Sequence, residues 1–274
     1  MIYHTYIPRS PLSKFVKFLW SSEGDNLPSS RVKLLPIGSM ELLINLRENT
    51  IPLYDSNSGE RCGSTSSMRI LGIHSQSLII DNHSQISVMG VRFQAGGSVP
   101  FFQLPIKELH NRVISLNELW SDRADELREK LLKVSQLETR FRVLEHYLLT
   151  MMVQSSPQHP VVEFALNQFA NLHPPTVREI TNQIGISPRY FGQLFSNCVG
   201  LTPKLFCRIQ RLRRVLCLLA GKTHTDTDWT DIAFTCGYFD QAHFIHDFRS
   251  LALCTPSEYI KHRGLHPCHI VLPD

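Results

Sequence analysis

Two stretches of this chain repeat one pattern, and no other feature limits the fold as strongly. "REITNQIGISPRYFGQLFSNCVGLTPKLF" spans 178–206 and "TDIAFTCGYFDQAHFIHDFRSLALCTPSEY" spans 230–259. Each opens on a short helix-like piece carrying an isoleucine, Ile180 or Ile232, and turns at a glycine, Gly185 or Gly237. A second helix then starts at a capping residue. Ser187 caps the first copy, with Pro188 at the first helical position, and Asp240 caps the second. Hydrophobic staples are expected between Ile186 and Phe191, and between Phe239 and Phe244. Phe191 with Phe195, and Phe244 with Phe248, recur at helical spacing and mark the inward stripes. Each copy exits through Thr-Pro to an aromatic three residues on, Phe206 or Tyr259, and the second copy has one extra turn residue.

A short helix, a glycine turn and a second helix with a narrow apolar stripe follow the grammar of a helix-turn-helix. One copy is weak evidence; two in register are not a coincidence of composition. At 100° per residue, the outward positions of the second helix are Arg189, Gly192, Gln193 and Ser196 in the first copy. In the second copy they are Ala242, Ile245, His246 and Arg249, with Gln241 at the helix start. Arg and Gln bond base edges in pairs, Ala and Ile touch a thymine methyl, and His donates to bases or phosphates. Expected base contacts are therefore Arg189, Gln193, Ser196, Gln241, Ala242, Ile245 and His246.

Between the copies, "KLFCRIQRLRR" (204–214) contains no acid. As a helix it places Leu205, Ile209, Leu212, Leu216 and Leu219 in one stripe, with Lys204, Arg208 and Arg211 grouped beside it. The expected phosphate contacts are Lys204, Arg208, Arg211 and Arg249, while Arg213 and Arg214 read as solvated. The net charge of +4 is mild, so the placement of charge carries this reading.

Residues 160–262 resemble the C-terminal DNA-binding domain of the AraC/XylS family of bacterial transcriptional regulators, most clearly in "DIAFTCGYFDQAHFIHDFRS" and "TPSEYI". The resemblance implies seven helices and two helix-turn-helix units set in successive major grooves about 34–36 Å apart. It implies promoter DNA and RNA polymerase as partners, and an N-terminal domain that senses a small-molecule effector or forms a homodimer. Thr181 departs from the pattern, standing where the second copy has Ala233, and Asn182 and Gln183 make that helix more polar.

The first half reads differently. "RVKLLP", "MELLINL", "MRILGIHSQSLIID" and "ISVMGVRFQ" are short apolar or β-branched runs separated by turn residues. "LPIGSMELLINL" and "GVRFQAGGSVPFFQLP" resemble the N-terminal domains of an AraC/XylS subgroup. The expected fold class is α+β: a β-rich sandwich or cupin-like domain, helical from about 99, then an all-α domain of two helix-turn-helix units on a linker helix. Leu137, Phe141, Leu144, Leu148 and Met151 make one helical stripe, read as core rather than a dimer seam. The expected division is 1–154, a linker at 155–159 within "VQSSPQHP", and 160–274.

No enzyme is expected. DNA alkylation repair needs several cysteines that the first half lacks, since it has only Cys62, and "ERCGST" is no nucleophile elbow. His74, His83 and Glu41 stand apart, so no cupin metal and no cofactor is expected. An apolar pocket between strands is the expected effector site. Arg92 and Gln94 are candidates to line it, with Gly96 and Gly97 read as a turn. The tail carries His262, His266, Cys268 and His269, but it reads as a loose end after Gly264 rather than a metal site. The seven cysteines form no Cys-x-x-Cys pair, and no run is apolar enough to span a bilayer, so a cytoplasmic chain is expected. The competing reading is an interaction adaptor of the same fold that binds no specific DNA.

Overall fold

The computed structural model describes residues 2–24, 31–82, 86–152, 159–223, 227–264 and 266–272. His83, and 155–158 of the expected linker, lie outside them. Among the described residues ten strands come first: β1 Ile2–Tyr6, β2 Val16–Glu23, β3 Arg31–Leu34, β4 Glu41–Asn45, β5 Thr50–Tyr54, β6 Arg61–Ser66, β7 Met68–Leu71, β8 Leu78–Asp81, β9 Val88–Phe93 and β10 Val113–Ser115. They form two antiparallel sheets, in the orders β1-β2-β9-β4-β7-β10 and β3-β8-β5-β6.

The helices α1 Leu116–Trp120, α2 Asp122–Leu132 and α3 Leu137–Met151 follow. Helix therefore begins at 116, not near 99. Only 3-10 turns occur at Val99–Phe101 and Ile106–Leu109, where Pro100 and Pro105 withhold amide donors.

β4 explains the layering. Its five residues are all buried, because each face of the strand has a partner layer. Leu42 and Ile44 join Met89, Val91 and Phe93 of β9 against Leu127, Phe141, Leu144 and Leu148 of the helices. Leu43 points the other way and packs with Trp20, Leu71 and Val88, against Leu34 and Leu78 of the second sheet. The domain is thus a sandwich with helices laid on one outer face, and the larger core lies under those helices. The α3 stripe is part of that core.

The remaining helices are α4 Pro160–Phe169, α5 Val177–Ile184, α6 Pro188–Val199, α7 Pro203–Leu219, α8 Trp229–Thr235, α9 Gln241–Ala252 and α10 Pro256–His262, followed by β11 His269–Val271. They share one core built from Phe169, Phe191, Phe195, Phe206, Phe244, Phe248 and Tyr259. The tail is not loose: β11 pairs antiparallel with β3, His269 opposite Leu34 and Val271 opposite Val32, and so completes the second sheet as an edge strand. Strand pairing supplies the backbone partners that a free tail would have to find in water.

The two halves also meet along α6 and α7. Gly200 ends α6 at φ +87°, and a Cβ there would stand 2.4 Å from Ile73 Cγ2. Gly38 backs onto Ile209 and Gln210 of α7 in the same way. Among the described residues, no helix is long and apolar enough to cross a membrane.

Candidate nucleic-acid interface

α5 with α6, and α8 with α9, form the two helix-turn-helix units. Ser187 accepts the Tyr190 amide at 3.2 Å and Asp240 accepts the His243 amide at 2.7 Å, so both expected caps are present. Gly185 and Gly237 take φ of +77° and +81°, which glycine adopts without a Cβ clash. The amide of the following residue then reaches back five positions: Ile186 to the Thr181 carbonyl at 3.1 Å, and Tyr238 to the Ala233 carbonyl at 2.9 Å.

This register shows that Tyr238, not Phe239, is the counterpart of Ile186. Phe239 is the extra turn residue and is 82% exposed, so the expected staple to Phe244 does not form. Tyr238 provides it instead, with its ring centroid 5.4 Å from Phe244.

The inward stripes superimpose in kind. The Phe191 and Phe195 rings pack tilted at 5.7 Å, and the Phe244 and Phe248 rings edge-on at 5.9 Å; all four are fully buried. Phe195 meets Phe206 edge-on at 5.6 Å, and Phe248 meets Tyr259 edge-on at 5.9 Å. The buried Thr181 hydroxyl donates to the Arg178 carbonyl at 3.1 Å, so its extra polar atom has a partner within the same helix.

With the aromatics inside, Arg189 and Gln193 of α6, and Ala242, His246 and Arg249 of α9, are exposed. Gln241 and Ile245 are half-buried, and Gln241 Oε1 accepts from Thr230 Oγ1 at 3.2 Å. Ser196 is half-buried and donates to the Leu201 carbonyl at 3.2 Å, which engages its hydroxyl in closing the helix end. Tyr190 and His243 are also exposed, each at the third helical position of its unit. The sequence reading passed over both, although their place immediately before the first inward Phe was a usable signal.

On the linker helix α7, two of the cations expected at phosphates have partners within the chain. Arg208 donates through Nε to Asp247 Oδ1 at 2.6 Å, and through an Nη to Ser250 Oγ at 2.6 Å. Asp247 is 3% exposed, so this ion pair locks α7 to α9. Arg211 lies over the Tyr238 ring at 5.2 Å. Arg214, expected to be solvated, donates to the carbonyls of Ala170, Asn171 and Leu172 and caps the end of α4. Arg213 is half-buried with Gln210. Of the four cations expected at phosphates, Lys204 and Arg249 stand exposed, while Arg208 and Arg211 both hold the second unit to the linker helix. Asp247 was legible in hindsight: an acid on the inward side of an amphipathic helix requires a buried cation.

Arg92 and Gln94 do line a cleft, but it lies between the halves rather than between strands. It holds about 290 Å³ among Lys14, Lys17, Gln94, Phe169, Gln210 and Arg213. Gly96 and Gly97 form the expected turn, closed by the Gly97 amide on the Gln94 carbonyl at 2.9 Å.

Residues 180–262 match a family model described as a helix-turn-helix domain, and residues 4–115 match one described as a domain of unknown function (DUF6597). A search of curated proteins gives no match. Among solved structures, the chain is similar to a probable AraC family transcriptional regulator from Rhodopseudomonas palustris CGA009. The identity is 30%, covering 37% of this chain and 91% of that one, with a TM-score of 0.31. An AraC-type DNA-binding-domain regulator from Chromobacterium violaceum is 25% identical, over 38% of this chain and 96% of that one, at a TM-score of 0.32. ToxT from Vibrio cholerae O395, bound to (E)-4-(8-methylnaphthalen-1-yl)but-3-enoic acid, is 13% identical over 95% of this chain and 99% of that one, at a TM-score of 0.46. The paired helix-turn-helix units lie within the stretch that the family model matches, so residues 180–262 form a helix-turn-helix domain.

Proposed function

We propose that this regulator reads promoter DNA with α6 and α9 as recognition helices in two successive major grooves. The observation that carries this reading is the sidedness of both helices: aromatic faces fully buried, opposite faces open to solvent. In this reading Arg189 and Gln193 bond base edges from α6. Gln241, Ala242, Ile245 and His246 offer a mainly apolar and imidazole surface from α9, and Tyr190 and His243 join at the helix starts. Ser196 contributes least, because its hydroxyl already donates within the chain. Lys204 and Arg249 bond phosphates.

Gly192 supports the reading independently. It lies in the middle of α6, where glycine costs about 1 kcal/mol relative to Ala. A Cβ there would meet nothing within 4 Å, so internal packing does not require the glycine. Close approach of a DNA backbone or base edge does account for it.

The two halves touch through Gly200, at the end of α6, and through Ser77, whose Oγ donates to the Leu251 carbonyl at 3.4 Å at the end of α9. A small-molecule effector in the cationic cleft between the halves would therefore act on the presentation of both recognition helices. Homodimerisation and contact with RNA polymerase complete the proposal as functions of the family.

The test is selection from a randomised duplex pool, followed by footprinting. The expected result is two protected major-groove segments centred about 10–10.5 bp apart. Retention with no sequence preference would favour the adaptor reading and overturn this one.

A further inference from the structure

The tail strand brings three side chains together that no part of the DNA-reading machinery uses. One ligand atom from each of His266, Cys268 and His269 lies within 4.8 Å of the others. His266 Nδ1 is 2.9 Å from Cys268 Sγ, and the His266 and His269 rings pack tilted with centroids 5.1 Å apart. The arrangement is built by the backbone: the His269 amide bonds the His266 carbonyl at 2.9 Å, closing a turn that puts both rings on one side.

That turn is held on three sides. Leu35 donates to the Cys268 carbonyl at 2.8 Å, Gly264 donates to the His269 carbonyl at 2.8 Å, and the Tyr259 hydroxyl donates to the Pro267 carbonyl at 2.6 Å.

We propose that His266, Cys268 and His269 form a zinc site that latches the tail strand between the N-terminal sandwich and the second helix-turn-helix unit. A thiolate with two imidazoles is the borderline-soft set that zinc prefers, and it is unsuited to magnesium or calcium, which take oxygen ligands. Tetrahedral zinc places its N and S ligand atoms roughly 3.3–3.7 Å apart. The observed ligand atoms, all within 4.8 Å of one another, are near that spacing.

A neutral imidazole offers one nitrogen lone pair to a metal, and each of the two histidines can supply one. The Cys268 thiol gives its proton to solvent as the Sγ–metal bond forms. Arg92 and Glu41 face the cluster as an ion pair, Nη to Oε1 at 2.6 Å, and Arg213 is a further cation near Cys268. Because Glu41 is committed to Arg92, three protein ligands leave the fourth position to water or an exogenous ligand. An open position of this kind suits a metal that exchanges.

The site does not depend on the DNA-reading assignments, and its test needs no DNA. The full chain, stripped with a chelator and dialysed, is titrated with Co²⁺ and then Zn²⁺. One equivalent of Co²⁺ should give a thiolate charge-transfer band with tetrahedral d–d absorption, and Zn²⁺ should remove it. Cys268→Ser should abolish the band, His266→Gln and His269→Ala should each weaken affinity at least tenfold, and Cys207→Ser should leave it unchanged. His266 is half-exposed, so His266→Gln remains informative if Cys268→Ser fails to fold. No band at equimolar Co²⁺, binding only at millimolar metal, or a band that survives His266→Gln and His269→Ala would each overturn the site.

Discussion

The two helix-turn-helix units have the same interior and different exteriors. Inside, both units have the same caps and glycine turns, and their aromatic centroid distances are 5.7 and 5.6 Å in the first unit and 5.9 and 5.9 Å in the second. Outside, α6 shows Arg189, Tyr190 and Gln193 around a bare glycine, whereas α9 shows Ala242, His243, Ile245 and His246. Their anchorage differs as well. The first unit abuts the N-terminal domain through Gly200, and the second is bolted to α7 by Arg208 and Asp247. A duplicated scaffold constrains only the residues that pack. The faces left open are free to differ, and in the proposed reading they specify different bases.

The largest expected effects should be alike in both units. Phe195→Ala and Phe248→Ala should each cost roughly 3–5 kcal/mol by removing a fully buried aromatic. Denaturant melts check this, and a loss in only one unit would break the equivalence of the interiors.

Arg208→Ala should have an effect of similar size, about 3–5 kcal/mol, because it leaves the Asp247 carboxylate buried without its cation. No counterpart exists in the first unit, where Leu194 takes the equivalent position. Arg208→Ala should leave the salt dependence of DNA binding unchanged once stability is restored by Asp247→Leu. Lys204→Ala should do the reverse, keeping stability and lowering the salt slope by about 0.9. If both variants change the slope equally, the strut assignment of Arg208 fails.

Differences between the outer faces should appear next. Arg189→Ala and Gln193→Ala should each lose about 1–3 kcal/mol of discrimination at one base pair in binding-site selection. Ile245→Ala should lose less, at a thymine one helical turn away. Unchanged preference in all three would remove these residues from the interface.

The smallest effect has the sharpest sign. Gly192→Ala should raise stability by about 0.5–1 kcal/mol and weaken DNA binding, since the added methyl has room in the chain but none against a duplex. Tighter binding by this variant would refute close approach at that position.

Much of this molecule follows from local rules. Caps, turn glycines and stripes at three- and four-residue spacing act within a few positions, so both units, the linker helix and the β-rich first half were legible from the residues alone. What stayed hidden depends on partners far apart in the chain. Arg208 and Lys204 look equivalent in a basic run; only the arrival of Asp247, 39 residues on, removes one of them from solvent. Tyr238 and Phe239 are adjacent aromatics, and the choice of which one packs was set by the five-residue reach of the turn amide. The tail reads as a loose end until β3, more than two hundred residues earlier, offers it an unpaired edge. Periodicity records which side of an element is apolar. It does not record which distant group will be there to meet it, because that is decided when the sheets and helices close on one another.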